Sequence, residues 1–160
     1  MRVRFEQQLT LGLKPISETP ILSKSRDDVP ALIKALLKIY NTPSHNEQLF
    51  TILEQHLLKG KKQTGRKGLT LWQIFVLAQL RLALDLDYDR LHYMVCSDST
   101  LRQLLGIETE TGFERIEIGY QRIIDNVRLL DQDTLLKIND IIVNFAHQKV
   151  FKKKKRQHYH

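Results

Sequence analysis

Apolar residues recur every three or four positions along most of this chain, and that spacing predicts an all-α protein. No stretch alternates with period two for long enough to predict a strand. Residues 27–59 are expected to form a helical pair. The apolar positions of its first helix are Val29, Leu32, Ile33, Leu36, Leu37 and Tyr40. Those of its second helix are Leu49, Phe50, Leu53, Leu57 and Leu58.

The most apolar run, Leu71 to Leu84, predicts a helix at the centre of a multi-helix bundle. Two short helices are expected after it, from Tyr88 to Cys96 and from Ser99 to Leu105. Residues 70–107 therefore predict a trihelical, helix-turn-helix-like unit. Such units place one short helix in the major groove of DNA.

Both ends of the chain have a different pattern. Residues 1–26 lack a sustained period and are interpreted as a flexible N-terminal arm. Residues 113–151 are expected to form a helical hairpin, with helices from Phe113 to Leu130 and from Asp133 to about Phe151. Residues 152–160 form a basic tail.

Polar residues mark the expected helix boundaries. Ser44 and Glu47 have the spacing of a capping box. Further caps are expected at Thr70, Asp87, Ser97 or Asp98, and Asp131, with a left-handed stop at Gly106. The alternation of Asp85, Asp87 and Asp89 also occurs in calcium loops. The glycine and the final Glu of such a loop are missing, so capping is expected instead.

The net charge of +7 is concentrated in two runs that contain no acid. The first occupies a glycine-rich linker at residues 60–69 and the lysine before it. Its cations are Lys59, Lys61, Lys62, Arg66 and Lys67. The cations of the second run are Lys149, Lys152, Lys153, Lys154, Lys155 and Arg156. The rest of the chain contains 14 cations and 18 acids. The two basic runs therefore predict a polyanionic partner. The alternative is that they only aid solubility.

Other features narrow the class of protein. Arg81 and Asp85 interrupt the longest apolar run, so no membrane span is expected. Residues 1–8 contain no apolar signal segment. Cys96 is the single cysteine, which predicts a cytoplasmic protein without disulfides and without a Cys-based zinc site. His92 lies one helical turn before Cys96, and a packed cysteine is expected rather than a metal site. No cofactor is expected.

The short helix after Ser97 supplies the candidate DNA contacts. Its polar residues are Ser99, Thr100, Arg102 and Gln103. Arg102 has the chemistry to address guanine and Gln103 to address adenine. The alternative is that Leu101, Leu104 and Leu105 pack inward while Arg102 and Gln103 face water.

Three segments in order carry a resemblance to a known family. Gly65–Thr70 leads into the Leu-rich helix, and Leu86–Leu91 and Ser97–Ile107 follow it. This order resembles the N-terminal domain of bacterial insertion-sequence transposases of the Asp-Asp-Glu type. The matching positions in the last segment are Asp98-Ser99, Arg102 and Gly106-Ile107. Ile124–Leu130 and Leu136–Asp140 are similar to one subgroup, which extends the resemblance over residues 65–150.

The resemblance implies binding to double-stranded DNA at the terminal repeats of a mobile element, at the nucleoid. In the family, a ribonuclease-H-like domain with three metal-binding carboxylates follows and performs strand transfer. Lys153 to His160 contains no acid. We therefore expect no catalytic residue here and no strand cleavage by this chain alone. A homodimer, or a mixed multimer with full-length transposase, is also implied. The alternative functions are an oligomerisation module and an inactive truncated remnant.

Overall fold

The computed structural model describes residues 2–6, 10–21, 28–58 and 68–141. The expected all-α fold is confirmed, because none of these residues belongs to a sheet. The helices are α1 (Asp28–Asn41), α2 (Pro43–Leu57), α3 (Leu71–Ala83), α4 (Tyr88–Ser97), α5 (Ser99–Leu104) and α6 (Tyr120–Val127). Residues 132–141 are also helical. Both basic runs, from Lys59 to Lys67 and from Lys149 to Arg156, lie outside the described residues.

Helix α3 lies at the centre of the apolar core, and helices α1, α2 and α4 to α6 are arranged by their packing on it. Every residue from Leu71 to Leu80 except Gln73 is buried. Trp72 is at the centre, where its ring packs 5.0 Å from Tyr40 of α1. Its indole N–H donates to the carbonyl of Leu104 in α5 over 2.8 Å. Helix α3 also packs against α2, α4 and α6, and burial of this many large apolar side chains stabilises the arrangement.

Side-chain caps begin three of the helices at the expected residues. Thr70 accepts from the backbone N–H of Gln73, and the Gln73 side chain accepts from Thr70 in return, a complete capping box. Asp87 caps α4 and Asp98 caps α5. The capping box expected at Ser44 and Glu47 is wrong. Helix α2 instead begins at Pro43, whose fixed φ suits a first helical position, and Glu47 pairs with Arg4.

The N-terminal arm is not loose where the structure describes it, which corrects the sequence interpretation. The carbonyls of Val3 and Arg4 accept from the first two N–H groups of α3, each over 2.9 Å. These N–H groups have no partner within their own helix. Phe5 packs 5.4 Å from Tyr40 and 5.6 Å from Phe50. The arm therefore joins α1 and α2 to the start of α3.

Residues 10–21 are also fixed by distant partners. Lys14 N–H donates to the carbonyl of Glu108 over 2.9 Å, and Glu110 N–H donates to Gly12 over 2.7 Å. Leu13 and Thr109 form an isolated antiparallel bridge. Two of the arm's backbone hydrogen bonds therefore join it to a segment about 100 residues away in sequence, which helical periodicity cannot indicate.

The helix expected from Phe113 begins seven residues later, at Tyr120. The residues before it have other backbone partners: Phe113 N–H donates to Glu110, and the carbonyl of Ile116 accepts from Arg102. Residues 131–141 belong to a second compact unit. There Asp131 accepts from Thr134 N–H over 2.8 Å, which confirms the expected cap. The pairing of the two helices as a hairpin stays a prediction.

Helices α5 and α3 end in turns of the same type, but the residue at the left-handed position of the turn differs. After α5 this residue is Gly106, at φ 75°, and Ile107 N–H donates to the carbonyl of Arg102. After α3 it is Asp85, at φ 51°, and Leu86 N–H donates to Arg81. A residue with a Cβ pays a steric penalty at such a position, and glycine does not.

We therefore expect opposite effects from Gly106→Ala and Asp85→Gly. Gly106→Ala should lower the free energy of unfolding by about 1–2 kcal/mol. The added Cβ would also come within 3.1 Å of Ile16. Asp85→Gly should raise the free energy of unfolding by about 0.5 kcal/mol, since glycine also gains entropy in the unfolded chain. Urea denaturation measures both, and a loss of stability in both variants would contradict the shared turn.

Candidate nucleic-acid interface

Arg102 lies inside the protein, with 1% of its surface exposed. Its guanidinium has four acceptors around it. Nε donates to Glu108 Oε1 at 3.1 Å, and Nη1 donates to the carbonyl of Val95 at 3.0 Å. Nη2 donates to the carbonyls of Ile107 at 3.3 Å and Ile116 at 2.5 Å. The buried charge is thus matched by one carboxylate and three carbonyl dipoles.

These contacts correct the expectation that Arg102 and Gln103 read bases. Gln103 is 7% exposed, and its Nε2 donates to the carbonyl of Pro15 over 2.9 Å. The alternative, in which both side chains face water, is also wrong, although the leucines of α5 do pack inward. Ser99 is exposed and Thr100 half-buried, so both remain at the surface. Their assignment to DNA stays a prediction.

The segment Ser97–Ile107 carries much of the resemblance, and its matching residues have structural roles. Asp98 begins α5 and Gly106 ends it. Arg102 binds the carbonyl of Ile107, and Ile107 is 4% exposed. The pattern therefore describes how this turn is held together. A signal was present in the sequence: Arg102 stands among three leucines, with Glu108 six residues further on.

Charge is unevenly distributed along the chain. The described residues contain 12 cations and 17 acids, a formal charge of −5. The remaining segments contain 13 cations and one acid, a formal charge of +12. Several arginines of the folded part are also occupied by its own acceptors. The hydrogen bonds from Arg4 lower the pKa of Glu47, and Arg115 donates to the carbonyl of Cys96.

Five arginines are exposed on the described surface: Arg81, Arg90, Arg115, Arg122 and Arg128. Three of them lie around α6 or on it. Near the start of α6, the hydroxyl of Tyr120 is hydrogen-bonded to Asp89, which raises the pKa of that phenol. Three of the exposed arginines therefore lie near one helix, and Lys34 of α1 is exposed as well.

Cys96 Sγ lies 3.5 Å from His92 Nε2, and the His92 ring packs against Tyr120. Within the described ranges, no group of three or more His, Cys, Asp or Glu side chains could hold a metal ion. No helix among those residues is long and apolar enough to cross a bilayer.

In class, the described part is all-α, with a charged surface and one buried arginine, Arg102, among its described residues. Comparison with protein-family models, with curated proteins and with solved structures gives no match for this chain.

We expect Arg102→Ala to lower the free energy of unfolding by about 3–5 kcal/mol, because it leaves Glu108 and three carbonyls without their donor. Arg102→Lys should restore little of this, since an ammonium cannot span the four acceptors. Denaturant unfolding is the measurement. Arg90→Ala on the exposed face of α4 is the control and should change stability by less than about 0.5 kcal/mol. Wild-type stability of Arg102→Ala would show that the buried network is not a stabilising feature.

Proposed function

We propose that this chain is the DNA-binding N-terminal region of an insertion-sequence transposase, with duplex DNA at the element's terminal repeats as its partner. The observation that carries the proposal is the segregation of charge. The runs at residues 59–67 and 149–156 contain 11 of the 25 cations and no acid, whereas the rest of the chain contains 14 cations and 18 acids. Lysine and arginine side chains that neutralise phosphates release condensed counterions, and this drives association with duplex DNA.

The negative charge of the described part limits which of its surfaces DNA would approach. Uniform basicity would favour adsorption of any face to any polyanion, whereas a negative body repels DNA except near its cations. The basic runs then determine which side approaches the duplex. Recognition of a particular repeat is supported by the family resemblance. Arg102 and Gln103 take no part in it, because their donors are used internally.

The proposal assigns no strand cleavage to this chain. In the family that the chain resembles, cleavage belongs to the carboxylates of the ribonuclease-H-like domain. Nucleoid association would follow from binding to duplex DNA.

We expect replacement of Lys59, Lys61, Lys62, Arg66 and Lys67 by Gln to weaken duplex binding strongly. The slope of log affinity against log salt should fall by about 0.9 for each phosphate contact removed. Fluorescence anisotropy with a labelled duplex over a salt series measures both effects. The matched control replaces the four lysines by Arg and retains the charge, so it should bind like the parent. Parent protein that binds no duplex at low salt would refute the proposal.

Sequence recognition needs its own measurement. Selection from a pool of random duplexes should enrich one sequence if the chain reads a terminal repeat. Binding without enrichment would refute recognition of a terminal repeat, and the proposal of general DNA binding would stand.

A second candidate is an oligomerisation module, and exposed apolar side chains favour it. Leu11 is 86% exposed and Phe113 is 45% exposed. Phe113 packs on the backbone of Gly12, the residue after Leu11, since a Cβ on Gly12 would come within 2.3 Å of the Phe113 ring. Light scattering of the parent and of Leu11→Ser tests this candidate. A monomeric parent would exclude self-association as the role of this patch.

A further inference from the structure

The sequence predicted that α5 is the third helix of the trihelical unit, but in the structure α6 takes that place. Helices α3 and α4 pack on each other, and α6 packs on both. Its buried side chains include Ile123, Ile124 and Val127. Its outer face exposes Gln121, Arg122, Asp125 and Arg128. The helices of this trihelical arrangement are therefore α3, α4 and α6, and its third helix has an exposed polar face.

One flank of α6 carries Arg2 and Arg122. Arg2 Nη1 donates to Asn126 Oδ1 over 2.7 Å and to the carbonyl of Leu69 over 2.9 Å. Asn126 and Arg122 lie one helical turn apart on the same stripe. Both acceptors of Arg2 are neutral, so they leave its charge in place. Burial, and after it the charge of Arg122, lower the pKa of Arg2, as expected for two neighbouring cations.

The other flank carries Arg81 and Arg128, which share one aromatic ring. Their Cζ atoms lie 4.3 Å and 6.0 Å from the centroid of Tyr88. A guanidinium stacked on a ring keeps its N–H donors in its own plane, where a phosphate can accept from them. Asp87 and Asp89 lie near the same flank, where Asp87 caps α4 and Asp89 is bonded to Tyr120, and because both partners are neutral these carboxylates keep their charge.

The basic linker is attached to the body beside the first flank. A Cβ on Gly68 would lie 2.5 Å from Arg2 Nη1, so this backbone is in contact with the guanidinium. Lys67 and Arg66 are the preceding residues in the chain. The run of cations at residues 59–67 is therefore covalently joined to the body next to Arg2 and Arg122.

We infer that α6 is the helix that enters the major groove of duplex DNA. Arg2 and Arg122 face one phosphate backbone, and Arg81 and Arg128 face the other. Gln121, whose Nε2 donates to Asp125 Oδ1 over 2.9 Å, presents its other amide hydrogen and its carbonyl oxygen to the base edges between them. The dimensions are compatible, because the groove is about 12 Å wide and admits one α-helix. The inference rests on the proposed function and adds which surface of the folded part the DNA meets.

The test compares single-charge variants of the full chain on one labelled duplex of about two helical turns. Arg122→Gln and Arg128→Gln should each weaken binding on the order of fivefold at about 0.1 M salt and lower the salt slope by about 0.9. Asp125→Asn removes a negative charge from the centre of the same face and should strengthen binding. Lys34→Gln, on the exposed side of α1, is the matched control and should bind like the parent.

The sign of the Asp125 effect separates a DNA contact from damage to the fold, since a destabilising change would weaken binding in every variant. Thermal unfolding midpoints should stay at the parental value. If the α6 variants bind like the parent while loss of the linker charges abolishes binding, the inference is overturned and the proposed function stands. If the α6 variants change only the mass measured by light scattering, the face belongs to a protein contact and the inference is likewise overturned. A parent that binds no duplex overturns both.

Discussion

The buried guanidinium of Arg102 is the interaction on which the arrangement of this domain depends. It connects the last turn of α4 at Val95, the turn after α5 at Ile107 and the extended segment at Ile116. Removing one partner would leave a buried polar group unsatisfied, which costs more than the bond itself contributes. The three segments are therefore held as one unit. Since the segment at Ile116 leads into α6, the same side chain determines where α6 starts.

The N-terminal segment depends on the same short helix. Gln103, next to Arg102, holds the carbonyl of Pro15, and Trp72 bonds to the carbonyl of Leu104. At the other end of the segment, Val3 and Arg4 complete the first turn of α3. The arm and α5 thus satisfy polar groups that would otherwise be buried without partners around the apolar core. The six-residue helix α5 therefore has a structural role, although its sequence pattern predicts DNA contacts.

Periodicity and capping chemistry were sufficient to predict what is local. They predicted α3, α4 and α5 to within a few residues, with Thr70 as a cap and Gly106 as a stop, because those features depend on neighbouring residues only. They failed where a hydrogen bond crosses the fold. The arm bonds to residues 108–110, and the Ile116 carbonyl is held by Arg102. Helical spacing describes the faces of one element and carries no information about such distant partners.

The same distinction decides which arginines are candidates for DNA. An arginine in a family-like pattern looks like a phosphate or base contact, but the physical criterion is whether its donors already have acceptors. Arg102 uses its donors on four internal oxygens, so its charge belongs to the fold. Arg81 and Arg128 rest on an aromatic ring, and the acceptors of Arg2 are neutral, so their charge still acts on the surroundings. In a described part of charge −5 such positive fields are local, and the proposed DNA contact at α6 requires that they outweigh the acids beside them.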